Sequence, residues 1–347
     1  MESARRPVRA YLETLRAPLL LSPVADVLAG ATVALAIATG NTGPHASATF
    51  IDLPNRLWGR LPTVGLAALA GCCLLAAGMA FNAYSDREDD RRRKPDRPLP
   101  RGDISPAAVR NTWLLFSMAG LAAAAAISSR ALDVAMGIVV LTWLYHVALK
   151  RWRLPGCLAL GTLRSSVVVL GMLSIEALAS PGQGWAAWRG AFDPGLAFAV
   201  ASAPALLLPI LYGLYIMGAS LHATTDDEPA ATRAVVWSRT GLGLCLAILL
   251  LLAALCLTGT EWQFRFGGGP IPQSGYVGGF LFLYCAWRLY VAIADKPPPA
   301  ITGVALSGLY LFQAGIAIHF GRSAAAAALI LVLFGVSRLL LRSFPPS

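Results

Sequence analysis

The sequence predicts an all-α protein, a polytopic membrane bundle of nine to ten transmembrane helices. Three observations carry that prediction. Of 347 residues, 56% are hydrophobic and only 13% are charged, against about 25% charged in an ordinary soluble domain. The mean hydropathy is +0.63. Apolar runs of about 20 residues, the length that crosses a bilayer as a helix, recur along nearly the whole chain. Sustained strand alternation is absent, which argues against a β-barrel.

Residues 1–18 carry Arg5, Arg6, Arg9 and Arg16 and read as a short amphipathic lead-in at the membrane surface. The following apolar run, interrupted by Pro23 and Asp26, is long for a signal peptide and reads as an uncleaved first helix. Candidate spans cover about 19–39, 61–85, 107–127, 132–149, 157–179, 196–221, 237–258, 276–294, 301–320 and 324–341. The eighth and ninth are separated only by Asp295-Lys296-Pro297-Pro298-Pro299, so nine spans compete with ten. A single domain over 1–347 is expected, with helix groups at about 19–150 and 157–341.

Charge sets the orientation. With the N-terminus cytoplasmic, the cytoplasmic segments hold nineteen Lys and Arg and the opposite loops six. The positive-inside rule selects this topology, in a membrane expected to be the bacterial inner (plasma) membrane. The net charge of +10 is explained by those loops, so nucleic acid is not expected as a partner. Cys72, Cys73, Cys157, Cys245, Cys256 and Cys285 all lie in apolar segments, and none forms a Cys-x-x-Cys pair. They read as packing residues, with neither a metal site nor a disulfide framework.

One stretch breaks the apolar pattern. Seven Lys or Arg and six Asp or Glu lie between Asp86 and Asp103. Asn82, Asp86 and Asp90 recur at steps of four. If the preceding helix continues through them, they share one face. Two carboxylates and an amide on one face suit a hard cation such as magnesium. The bases that follow suit the phosphate such a metal would bridge. A second acid-containing loop, Asp226-Asp227-Glu228, falls on the same side of the membrane, four spans later. The alternative for the first loop is a solvated segment whose acids neutralise its bases; for the second it is a helix C-terminus followed by a polar turn before Pro229.

The run from Asn82 to Gly102 resembles the first signature of the UbiA superfamily of intramembrane prenyltransferases: Asn-x-x-x-Asp-x-x-x-Asp, then the turn Arg97-Pro98-Leu99-Pro100-Arg101-Gly102. The resemblance extends to Tyr145, Leu149, Lys150 and Arg151, to Gly161-Thr162-Leu163-Arg164 with Gly171, and to Arg16-Ala17-Pro18 and Ala25–Gly30. It spans about residues 10 to 240. It implies a helical bundle around a central cavity in which two acid motifs face each other across magnesium and a prenyl diphosphate. On that likeness Asn82, Asp86 and Asp90 hold metal. Lys150 and Arg151 hold diphosphate, with Arg93, Arg97 and Arg101 as further candidates and Arg164 facing the bundle interior. Tyr145 orients the diphosphate or the developing cation.

The second motif departs from the family pattern. Where Asp-x-x-x-Asp is expected, the chain has His222-Ala223-Thr224-Thr225-Asp226. Asp226, or Asp227 with Glu228, would complete the metal set, and His is a poor magnesium ligand. The resemblance implies transfer of a prenyl group to a lipophilic acceptor within the membrane lipid. The competing readings are a UbiA-like terpene cyclase or diphosphate hydrolase, and a non-catalytic lipid or metabolite binder or transporter.

Overall fold

The computed structural model describes residues 2–38, 59–176, 199–225, 232–257, 273–320 and 323–343. Those residues form helices, turns and short connections. An amphipathic helix α1 (Glu2–Thr14) leads into a 3-10 turn at Ala17–Leu21. Ten long helices follow among the described residues, at the positions of the ten candidate spans: α2 (Ser22–Ala38), α3 (Leu61–Ser85), α5 (Pro106–Ala125), α6 (Ser129–Val147), α7 (Arg153–Glu176), α8 (Ala199–Ala223), α9 (Thr232–Leu257), α10 (Gln273–Asp295), α11 (Pro298–His319) and α12 (Ala324–Ser343). A short α4 (Arg87–Arg93) follows α3.

Eight of these stretches are long and apolar enough to cross a membrane, so this is an integral, multi-pass membrane protein. The other two are α5, which opens with Arg110 and Asn111, and α8, whose apolar described part is the shorter Leu207–Ala223. The eighth and ninth candidate spans are separate helices. Pro297, at φ −67° and ψ 154°, is extended and caps α11, and its carbonyl accepts from the Ala300 and Ile301 amides.

Three helices hold the bundle together. α2, α7 and α11 contribute to both large apolar cores, one shared with α8, α9 and α10, the other with α3, α5, α6 and α12. In lipid there is no hydrophobic drive between helices, so close backbone approach matters more than side-chain bulk. A Cβ on Gly30 would collide with the Val168 carbonyl, and one on Gly171 with the Val27 carbonyl, so α2 and α7 meet backbone to backbone. Gly161 and Gly213 do the same between α7 and α8. On the outside, Leu115, Val140, Phe280 and Val332 stay exposed, as lipid-facing positions should.

The segments assigned to one side of the membrane meet in space. Arg101 reaches Glu13 at 3.3 Å, and Lys150 pairs with Asp86, so the residues before α2, after α3 and after α6 share one end of the bundle. At the α8–α9 and α10–α11 connections, His222 bonds Ser238 and the Pro298 carbonyl.

Candidate functional site

α3 ends at Ser85, where Asp86 takes φ −92° and ψ 4°, and α4 begins at Arg87. The helix bends without losing step. The Asp86 amide donates to the Asn82 carbonyl (2.9 Å), Asp90 to Asp86 (2.8 Å) and Lys94 to Asp90 (2.8 Å). The i, i+4 stacking of Asn82, Asp86 and Asp90 therefore survives the joint.

The Arg-Pro-x-Pro-x-Gly turn then folds back. Its last residue, Gly102, sits at φ +86°, a conformation that other residues enter only with strain. The Asp103 amide donates to the Pro98 carbonyl and Gly102 to Leu99. This curl aims Arg97 back at α4. Its Nη1 donates to both oxygens of Asp90, at 2.8 and 2.9 Å, with both side chains largely buried. Arg101 points outward to Asp103 (2.6 Å), the Asp96 carbonyl and Glu13. The Asp103 bond raises its pKa above the ordinary arginine value.

Beside this turn lies a cavity of about 340 Å³. Its polar end is lined by Glu13, Thr14, Arg16, Asn82, Asp90 and Arg97. Its walls continue as Leu74, Leu75, Ile138, Leu160, Leu163 and Val167, with Tyr145, His146 and Arg164 among them. Phe81 stacks on Trp113 at 4.4 Å and meets His146 edge-on at 5.1 Å, stiffening the α3–α6 wall. His146 is buried, as a packing residue would be.

Asp86, between Asn82 and Asp90 in the series, does not itself line the cavity, and neither does Lys150. Asp86 pairs with Lys150 from the Leu149–Arg151 turn after α6 and accepts from the Ser85 hydroxyl at 3.1 Å. Arg93 and Arg151 are exposed, and neither they nor Arg101 lines the cavity. Arg164 lies deeper, in α7. Its Nη2 is 2.6 Å from Asp26 Oδ2 and 3.2 Å from the Tyr212 hydroxyl. Tyr212 donates to Asp26 Oδ1 at 2.6 Å, and Gln313 Nε2 does so at 2.9 Å. Asp26, Tyr212 and Gln313 are essentially unexposed.

His222, the departure in the second motif, is 1% exposed and does not line the cavity. Its Nε2 meets the Pro298 carbonyl at 3.2 Å, and a carbonyl only accepts, so Nε2 carries a proton. Nδ1 meets the Ser238 hydroxyl at 2.8 Å. Both nitrogens are thus committed to joining α8, α9 and α11, which accounts for a histidine there without a metal. Asp226, Asp227 and Glu228 lie outside the described residues.

The sequence reading placed Arg16 in the family-like stretch Arg16-Ala17-Pro18 but gave it no role at the site. Arg16 sits at φ 45° and ψ 54°, the described non-glycine residue in the left-handed region, between α1 and the 3-10 turn. Such a conformation costs on the order of 1–3 kcal/mol and clusters at functional sites. Burial lowers the Arg16 pKa below the ordinary arginine value, the nearby Arg97 charge lowers it further, and Asp90 opposes both. In the sequence it was one arginine among several positive-inside charges; the backbone reversal is what turns it into the cavity.

The oxygen chemistry of Asn82, Asp86 and Asp90 fits magnesium, which takes one or two carboxylates and fills the rest of its shell with water and substrate phosphate. Among the described residues no cluster of three His, Cys, Asp or Glu exists.

The profile of the UbiA prenyltransferase family matches residues 27–309, most of the chain. The chain belongs to the UbiA prenyltransferase family. Similar proteins include digeranylgeranylglyceryl phosphate synthases from Ignicoccus hospitalis (29% identical, 48% of each chain) and Pyrococcus abyssi (35% identical, 33% of this chain and 41% of that one). The chain thus spans about half the length of the curated relatives it matches. A solved UbiA homologue from Aeropyrum pernix K1 shares the fold at TM-score 0.54 and 18% identity, over 86% of this chain and 97% of that one. Another from Archaeoglobus fulgidus, bound to DMAPP and Mg2+, matches at TM-score 0.51 and 15% identity, over 89% and 99%. These likenesses assign the all-helical UbiA fold.

Proposed function

We propose that this UbiA-family chain is a magnesium-dependent prenyltransferase, moving a prenyl group from a prenyl diphosphate to a lipophilic acceptor in the membrane. The observation that carries the reading is the polar end of the cavity. There Asn82, Asp90, Arg97 and Arg16 converge beside walls of Leu, Ile and Val. The relatives named digeranylgeranylglyceryl phosphate synthases, and the homologue bound to DMAPP and Mg2+, support it.

Asn82, Asp86 and Asp90 would hold the metal, with Asp226 and Asp227 as the second set. When bound, magnesium supplies a Lewis acid that neutralises the diphosphate as the allylic C–O bond breaks. Arg97, Lys150 and Arg16 bind the phosphate oxygens, and Arg93, Arg101 and Arg151 strengthen the positive field around that end. The Arg97–Asp90 and Lys150–Asp86 pairs keep the carboxylates oriented until substrate arrives. The apolar walls exclude water from the cationic prenyl carbon, and the Tyr145 ring faces it as a π-surface. The N-terminus and this end of the cavity face the cytoplasm across the plasma membrane, as the nineteen-to-six charge asymmetry directs.

The test is incubation of purified protein with radiolabelled dimethylallyl and longer prenyl diphosphates, magnesium and a membrane extract. The expected outcome is magnesium-dependent label transfer that falls about 10²-fold or more in Asp86→Ala. No difference between wild type and Asp86→Ala would contradict the reading. Asp226→Asn and Asp227→Asn variants in the same assay test the second set.

A further inference from the structure

The four residues Asp26, Arg164, Tyr212 and Gln313 come from α2, α7, α8 and α11 and meet on one side of the cavity. By helical rise, Arg164 lies roughly 16 Å beyond the start of α7, near mid-bilayer. An ionisable residue at that depth is costly and marks function by default. Asp26 accepts from Tyr212 and Gln313 at Oδ1, and its Oδ2, without a hydrogen bond of its own, is held by the Arg164 charge. Arg164 lines the cavity with 13% of its side chain exposed. Its Nε is buried without a hydrogen-bond partner, and its Nη1, which makes no hydrogen bond among the described residues, is the N–H left to the cavity.

We propose that Arg164 is a specificity-determining residue for the acceptor, donating to an uncharged oxygen (a phenol, alcohol or carbonyl) carried by an otherwise apolar molecule. The chemistry narrows the ligand from both sides. A pure hydrocarbon against Arg164 leaves a buried N–H unsatisfied, which is expensive. An anion must share one guanidinium with Asp26 in a low-dielectric setting, leaving excess negative charge. A neutral oxygen satisfies the N–H and adds no charge. Leu160, Leu163 and Val167, on the same helix, give the body of such a molecule an apolar bed. Asp26, Tyr212 and Gln313 act as positioning residues that fix the guanidinium.

The inference deepens the transfer reading and rests on it for the word acceptor, but its test needs neither magnesium nor diphosphate. Saturable binding of tritiated 2-naphthol to the full chain in nanodiscs is measured, with naphthalene and 2-naphthoate as competitors. The expected result is that both compete at least about tenfold more weakly than unlabelled 2-naphthol. In the double variant Asp26→Asn/Arg164→Met, which removes both charges together, naphthol and naphthalene should become equivalent within about twofold. Equal competition by naphthalene in wild type, tightest competition by naphthoate, or a naphthol preference that survives in the double variant overturns the proposal. If that variant does not fold, the wild-type series decides alone. Absence of naphthol selectivity in the wild type alongside intact magnesium-dependent transfer sinks this inference only; wild-type selectivity without any transfer sinks the enzymatic reading only.

Discussion

The cavity has two ion-paired regions, and they differ in what surrounds them. At the polar end Asp90 pairs with Arg97 from a neighbouring turn, and just outside the lining Asp86 and Lys150 pair while 27% and 29% exposed. In the deep region, Asp26 is 1% exposed and receives hydrogen bonds from two further helices. Both use a carboxylate and a base. The Asp86–Lys150 pair can exchange partners when a diphosphate or metal enters because water reaches it, and the largely buried Asp90–Arg97 pair because a third charge, Arg16, stands beside it. The deep pair cannot, because either partner alone would be a bare charge in an apolar bundle. The polar end is built for turnover of ligands, the deep network for holding one donor in place.

The largest effect should come from the deep network. Asp26→Ala strands the Arg164 charge and should cost about 3–5 kcal/mol, read as a large fall in Tm or loss of folded protein in nanodiscs. Asp26→Asn/Arg164→Met should recover most of that loss. Were Asp26→Ala as stable as wild type, the contrast between the two regions would collapse. Next comes helix approach. Gly171→Ala drives a methyl into the α2 backbone at Val27 and should cost about 1–3 kcal/mol, seen as a lower Tm with the polar end chemically unchanged.

At the polar end, function should move more than stability. Arg97→Gln should raise the KM for prenyl diphosphate about tenfold or more, with a smaller fall in Tm than Asp26→Ala, because Gln can still donate to Asp90 and Arg16 stands nearby. Arg16→Gly sharpens the point, because its two effects have opposite signs. It relieves the left-handed strain, so Tm should rise by the equivalent of about 1 kcal/mol, while KM rises because a cavity cation is lost. The smallest effect belongs to Arg101→Gln. Its partners Asp103 and Glu13 are solvent-accessible, and such pairs contribute about 0–1 kcal/mol. A tenfold KM change there would show that the outer turn, rather than the cavity wall, meets substrate.

Much of this was legible in the chain. Hydropathy placed the ten long helices, and the four-residue spacing of Asn82, Asp86 and Asp90 survived the break at Asp86. Gly102 in its Pro-rich turn announced a backbone reversal. What stayed hidden depended on direction or on distance along the chain. Arg93, Arg97 and Arg101 are equivalent members of a basic run, yet the curl of the turn sends only Arg97 to Asp90. Arg16 is one more positive-inside arginine until its φ is known. The partners of Asp26 lie 186 and 287 residues away at Tyr212 and Gln313, beyond any local pattern. His222, read as a gap in a metal motif, turned out to join three helices.

The central claim is that the polar end binds a prenyl diphosphate through metal held by the α3–α4 acids. It is tested most directly by thermal stabilisation of the full chain with an unreactive prenyl thiodiphosphate, with and without magnesium. The account predicts a marked rise in Tm only when magnesium and the analogue are present together, and its loss in Asp90→Ala. An equal rise without magnesium, or one undiminished in Asp90→Ala, would contradict it.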